Sequence, residues 1–372
     1  MDLSVAICAF NAQDRIEMVL QSLGSQDLST VAEWELIVVD NASTDNTSEL
    51  VKELSAKYRL PLRLFVEPVP GLSNARRRAA LEARSDFLSY LDDDVVAPDN
   101  WVVECIRFLK SRPQCGILGC KVIPLFEDVS KKPADFDHGY AGILSLVDLG
   151  PTAYELDVRN GTSIVGAGMT GRTCVFRSTF ADVQSLTVGR RGSSLAGGED
   201  LEAQLVASRL GWEIWYTPSL VLQHFVPSRK LNREYLEKWF IDTASCHAWL
   251  DCLAKFDRCP STIRLLMSSA SLIPRILRLL LVSAIPWRKA NEKREVRFWA
   301  RQISAILVGY LALIGKRQDM SRIFQFIDNY KTKTIAARQT ELAVMAEPKG
   351  SSPEVKRAHA QALCEEDSNG PG

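Results

Sequence analysis

The nine cysteines of this 372-residue chain include no Cys-x-x-Cys, and their odd number and irregular spacing supply neither a disulfide framework nor a zinc-ligand pattern. Cys8, Cys105, Cys115, Cys120 and Cys174 sit mostly among apolar neighbours, so buried thiols and a reducing, cytoplasmic setting are expected. No basic segment precedes the first apolar run, Met1-Asp2-Leu3-Ser4-Val5, and no signal peptide is expected. No Gly-x-Gly-x-x-Gly follows that run, which counts against an oxidoreductase holding a dinucleotide. No charge-free stretch approaches the ~20 residues that a spanning helix needs. Net charge is also missing, at 45 basic against 45 acidic residues. That zero conceals an asymmetry: residues 1–227 hold 21 basic and 30 acidic residues, residues 228–340 hold 21 and 9. An acidic first half excludes nucleic acid as its main partner, because phosphate is neutralised by Lys and Arg.

What is present is a run of alternating strand and helix signals. Leu3–Cys8, Leu36–Val39 and Phe87–Leu91 are apolar runs of strand length, Leu62–Val66 reads as another strand between them, and Ile16, Val19, Leu20 and Leu23 share one helical face. Helices are also expected from Asp45, as N-cap, and over Ser73–Ala83. Repeated β-α units predict an α/β fold, a mostly parallel sheet with helices on both faces and ligands beyond the carboxyl ends of its strands. Further on, Gly116–Pro124 and Ser163–Phe176 read as strands, 131–159 as a loop-rich insertion and Val188–Gly198 as a mobile glycine loop. Glu199–Leu210 reads as a helix, followed by two short strands, Trp212–Thr217 and Leu220–Phe225.

Asp92-Asp93-Asp94 closes the fourth strand. Adjacent carboxylates repel, and a hard divalent cation relieves that repulsion while gripping substrate phosphates. A solvated acidic turn is the plain alternative. Glu199-Asp200 follows the glycine loop and opens a helix, where the dipole welcomes acid even without chemistry.

Together these segments resemble family 2 glycosyltransferases of the GT-A fold. The resemblance rests on Ser4–Asn11, Val38–Ser43, Gly71–Arg76, Leu91–Asp94 and Gly198–Leu201, spread over residues 4–227. It implies an inverting transferase that moves a sugar from a nucleotide-sugar donor to a hydroxyl acceptor, lipid-linked or on a growing glycan, with Mn²⁺ or Mg²⁺ on the diphosphate. By that resemblance Ala9, Phe10, Asn11 and Asp40 border the base, Arg76 lies near the nucleotide and Asp92 meets the ribose. Asp94 ligates the metal, with His224 as second ligand or diphosphate contact, while Asp93 points away or supports the turn. Asp200 is the general base, and Glu199 orients or binds the acceptor. Plainer roles stand beside these: helix capping for Asp40, a structural histidine at 224, core packing for Trp212 and Trp215. The rivals are a nucleotidyltransferase on a similar sheet and a non-catalytic scaffold on a decayed transferase fold.

The division expected is a catalytic domain over 1–235, a basic and apolar helical region over 236–340 and a disordered tail over 341–372. Residues 261–287 are apolar but broken by Arg264, Arg275 and Arg278, a pattern that fits an interfacial helix with Trp287 and Trp299 as anchors. Peripheral contact with the inner face of the cell membrane follows from that reading; a helical domain packed on the catalytic one is its alternative.

Overall fold

A computed structural model describes residues 1–31, 33–133, 136, 141–183, 185–187, 189–190, 194–283 and 290–345 of the chain. Strands β1 (Leu3–Ala9), β2 (Trp34–Asp40), β3 (Leu62–Val66) and β4 (Phe87–Leu91) run parallel in the order β3-β2-β1-β4. Helices α1 (Ile16–Gly24), α2 (Thr47–Lys57) and α3 (Leu72–Glu82) connect them. Leu3, Val5, Ala6 and Ile7 are fully buried, which is why β1 reads as an unbroken apolar run rather than an alternating one.

Register then decides where the strands end. Ala9 lies opposite Asp40, and Ile7 opposite Leu91, so Cys8–Ala9, Asp40–Asn41 and Asp92 reach one edge together. Beyond the acidic turn come β5 (Val95–Val96) and α4 (Trp101–Ser111), then β6 (Cys115–Phe126), β7 (Tyr154–Glu155) and β8 (Thr170–Arg172). The chain continues through α5 (Thr173–Phe180), α6 (Glu199–Arg209) and β9 (Glu213–Val226). The sheet extends from β4 through β8, β6 and β9 to β5, with β7 paired to β9. Helix α4 packs on the sheet by one face: Trp101 is fully buried and donates its indole N–H to Ser89 Oγ at 3.0 Å, while Arg107 and Lys110 are exposed.

Two expectations need correction. Ser163–Phe176 is not a strand: Thr170–Arg172 alone pairs, and Thr173–Phe180 is helical. Gly171 has room for no side chain there, since a Cβ would lie 2.2 Å from the Gly116 carbonyl oxygen. Trp212–Thr217 and Leu220–Phe225 are parts of one long strand, β9. Its pairing with β6 shifts register between Cys120 and Lys121, where the partners step from Thr217 to Val221 and the Pro218–Ser219 break is absorbed as a bulge.

Helices α7 (Arg233–Lys255), α8 (Thr262–Ala270), α9 (Ile273–Ser283) and α10 (Ala290–Gly315) follow, and α11 covers Arg317–Met345. Met1–Gln325 is one compact unit; a second begins at Phe326, and in it Phe326 and Tyr330 place their rings 6.3 Å apart. Thr262–Ser283 and Glu295–Gly315 are long and apolar enough to cross a bilayer by composition, at mean hydropathy 1.7 and 1.4. Arg264, Arg275 and Arg278 lie within the first stretch and Glu295, Arg297 and Arg301 within the second, so neither has the charge-free run that the sequence already lacked. Trp287 and the tail from 346 lie outside the described residues.

Candidate active site

A cleft of about 610 Å³ opens beyond the carboxyl ends of β1, β2 and β4. Its floor is the acidic turn, whose three carboxylates diverge. Asp93 points back to the turn before α1, where Arg15 holds it with Nε to Oδ1 at 2.7 Å and Nη2 to Oδ2 at 2.8 Å. Burial pushes Asp93 up to about 6, Arg15 opposing. Asp94 turns toward β9: its Oδ1 lies 3.1 Å from His224 Nε2 and its Oδ2 3.5 Å from Lys230 Nζ. Against the burial that would raise it, His224 and Lys230 hold Asp94 well below the usual carboxylate range.

The antiparallel pair Val95↔His224 explains this meeting, since it sets β9 alongside the residue that follows Asp94. One ligand atom each from Asp92, Asp94 and His224 lie within 4.8 Å of one another. Two carboxylates and an imidazole at that separation fit a single Mn²⁺- or Mg²⁺-sized ion. His224 Nδ1 is buried with no hydrogen-bond partner, so the ring's orientation is set on its Asp94 side.

The opposite wall is the N-terminus of α6. Glu199 is buried; its Oε1 receives Arg76 Nη1 at 3.2 Å and its Oε2 has no partner. Burial raises Glu199 to about 7, Arg76 lowering and Asp200 adding to the shift. Arg76 is buried too, and its Nη2 lies 4.0 Å from Asp92 Oδ1, so one guanidinium links the two walls. Gly166 makes room for it: a Cβ there would sit 2.2 Å from Arg76 Nη2. Asp200 is less enclosed and firmly set, its Oδ2 accepting from Gly166 N–H and its Oδ1 from Leu201 N–H, both at 2.8 Å. Gln204, one turn on, clamps the Ile164 backbone with bonds of 3.0 and 2.9 Å.

Of the residues named from sequence, Ala9, Phe10, Arg76, Asp92, Asp94, Glu199, Asp200 and His224 line this cleft. Asn11 and Asp40 stand behind it. Asp40 accepts from Ser43 N–H at 2.9 Å and from the Ser48 hydroxyl, while Asn11, at φ +47°, accepts from Thr44 N–H at 2.8 Å. Trp212 and Trp215 do not line it: Trp215 packs edge-on against Phe108 at 6.0 Å, and Trp212 covers Gly116.

Arg15, Arg190, Lys230 and Trp239 line the cleft without having been singled out. Lys230 had a signal, the basic pair Arg229-Lys230 shortly after His224; Arg15 had none. The segment leading into the glycine loop is tied to α6, and the loop itself to α7 through Leu195. Glu202 of α6 accepts from Leu186 and Thr187 N–H, each at 3.0 Å, and from Trp249 Nε1 at 2.8 Å, and Leu195 N–H donates to Asp242 of α7 at 2.8 Å. Residues 188 and 191–193 lie outside the described residues.

A sequence model of glycosyl transferase family 2 matches residues 4–154. That segment belongs to the family. With the mixed sheet and its helices, the family 2 match gives the chain a GT-A-like α/β fold with a helical C-terminal region. Over 201 residues, 53% of this chain and 49% of the relative, it is 25% identical to the uncharacterized glycosyltransferase YfnE of Bacillus subtilis (strain 168). Over 94 residues it is 31% identical to the poly(ribitol-phosphate) beta-N-acetylglucosaminyltransferase TarS of Staphylococcus aureus (strain Mu50), covering 25% of this chain and 16% of TarS. The match thus spans half or less of these curated relatives' length. The crystal structure of S. aureus TarS 1–349 with UDP-GlcNAc is similar at TM-score 0.48 and 16% identity, over 90% of this chain and 92% of that one.

Proposed function

We propose that this chain is an inverting glycosyltransferase that moves a sugar from a nucleoside diphosphate sugar to a hydroxyl acceptor, in the synthesis of a polysaccharide or glycolipid. The observation that carries the reading is the meeting, in one cleft of a family 2 fold, of Asp92, Asp94 and His224 with Glu199 and Asp200. A relative named as an N-acetylglucosaminyltransferase acting on a polyol phosphate supports the reaction class.

Ala9 and Phe10 border the base in this reading. Asp40 and Asn11 hold the turn behind it, and each Asp40 oxygen keeps a lone pair for an imide N–H. Asp92 meets the ribose, and Arg76 fixes Asp92 relative to the opposite wall. Asp94 and His224, with Asp92, would hold Mn²⁺ or Mg²⁺, which supplies Lewis-acid stabilisation of the departing diphosphate. Asp200 takes the proton of the acceptor hydroxyl as its oxygen bonds to the anomeric carbon. The bond from that carbon to phosphate oxygen breaks, and its electron pair leaves with the nucleoside diphosphate. Attack opposite the leaving group inverts the centre. Two backbone N–H groups fix the Asp200 carboxylate and leave lone pairs toward the cleft. Glu199, tied to Arg76, orients the acceptor side. Buried free thiols at Cys105, Cys115, Cys120 and Cys252 fit a reducing, cytoplasmic setting.

The test is a thermal-shift panel of nucleoside diphosphate sugars with and without Mn²⁺. One donor class should stabilise the chain, more so with the ion; no shift from any of them would sink the reading.

A further inference from the structure

Helices α8, α9 and α10 wear their apolar residues on the outside. On α8, Ile263, Leu266 and Met267 are 70%, 45% and 68% exposed, whereas Leu265 and Ser269 face inward. On α9, Ile273, Leu277, Leu280 and Leu281 form an exposed stripe at helical spacing, and on α10 Trp299, Val308 and Leu311 are exposed. A helix on the surface of a water-soluble domain turns a polar face outward. Of the 18 large hydrophobic residues exposed on the described chain, 10 fall between 263 and 311, so this is one patch rather than scatter.

Its charge has one sign where it is most apolar. From 260 to 283 the chain carries Arg264, Arg275 and Arg278 and no acidic residue. Beside it a groove of about 590 Å³ is lined by Ile241, Ile276, Leu280 and Ala300 together with Arg297 and Arg301. Apolar walls with guanidinium groups match the two parts of an anionic lipid, acyl chain and phosphate. A second copy of the chain would bring the same arginines against these and would not complement them.

We propose that α8, α9 and α10 form a seat for the surface of an anionic phospholipid bilayer, with the apolar stripes among the acyl chains and the arginines at the phosphates. The seat is interfacial, because α8 and α9 are separate helices and Arg275 and Arg278 interrupt the second. It lies one helix from the cleft: Trp239 of α7 lines the cleft, and its neighbour Phe240 packs on Phe298 and Trp299 at 5.7 and 6.4 Å. The seat therefore sets the cleft beside the bilayer surface.

The full chain is floated with phosphatidylcholine vesicles and with vesicles containing phosphatidylglycerol, at low and high salt. It should float with the anionic vesicles, less at high salt. Leu277→Glu/Leu281→Glu and, separately, Arg275→Glu/Arg278→Glu should each bind about tenfold more weakly. Arg275 and Arg278 are exposed, so the charge-reversal pair tests the seat even if the leucine pair fails to fold. Absence of flotation, variants that float like the parent, or a parent dimer dispersed by the leucine pair without flotation would each overturn the proposal. Donor thermal shifts measured on the same samples keep this outcome separate from that of glycosyl transfer.

Discussion

Arg15 and Asp93, 78 residues apart in sequence, form a two-bond pair at 2.7 and 2.8 Å beneath the candidate metal cluster. The pair turns the middle carboxylate away and leaves Asp92 and Asp94 to the cleft. Arg15→Met should strand a buried charge and cost roughly 3 kcal/mol in urea unfolding at neutral pH. Without Arg15 the Asp93 carboxyl takes up its proton above the parent's value of about 6, so the deficit should shrink as pH falls toward 6 and stay level below it. A double variant with Asp93→Asn should lose less than the single one. Equal stability of Arg15→Met and the parent would contradict the pairing.

Asp94 serves His224 on one oxygen and Lys230 on the other, which gives opposite expectations for neighbouring substitutions. Asp94→Asn and His224→Ala should weaken Mn²⁺ binding, read by calorimetry, by more than the roughly 10–100-fold that outer partners contribute. Lys230→Met removes a cation that competes for Oδ2 and should tighten Mn²⁺ binding without donor. If all three changes act alike, the cluster is not a metal site.

These contacts show how unevenly the sequence disclosed the protein. Strands β1, β2 and β4 were readable because both faces are buried, which leaves nearly unbroken apolar runs, and the acidic turn was readable because it ends one of them. The break at Pro218–Ser219 hid the continuity of β9, since a bulge that absorbs such residues leaves no periodic trace. Helix α4 was passed over although Trp101, Cys105 and Phe108 are buried on one face and Arg107 and Lys110 are exposed on the other, a helical period that the sequence does carry. Arg15 could not have been chosen among the basic residues of the chain, because its role is made by a contact between two loops. The cleft residues legible in advance were those at strand ends and at the start of α6, where the backbone alone dictates the location.

Asp200 and Glu199 should separate by assay. Asp200→Asn should lower turnover by about 10²–10⁴-fold while the donor thermal shift is kept. Retained turnover with full donor binding would remove Asp200 from the base role.

Glu199 carries a pH dependence of defined sign. Burial lifts its carboxyl from 4.5 to about 7, so between those values the folded chain holds more protons at this site than the unfolded chain. Stability from this group is therefore present at low pH and declines as pH rises through the window. Glu199→Gln removes the titration, and its stability relative to the parent should improve on going from pH 5 to pH 7, by up to ~1.4 kcal/mol per unit. Parallel stability profiles for the two chains would show that Glu199 is charged throughout.

Gly166 tests the bridge between the walls without touching a charged group. Its backbone needs no left-handed conformation, so Gly166→Ala acts through space alone: the new Cβ would overlap Arg76 Nη2 at 2.2 Å. Arg76 is buried between Tyr90, Asp92 and Glu199 and has little room to retreat. Overpacking of this kind costs about 1–3 kcal/mol. Gly166 N–H also holds Asp200, so the same methyl should disturb both the donor wall and the base. Donor affinity and turnover should therefore fall together in Gly166→Ala, while Gly197→Ala, at a cleft glycine with nothing within 4 Å of its Cβ, should leave both near the parent's values. Equal loss in the two variants would mean that this rim responds to glycine replacement in general, and the Arg76 bridge would lose its support.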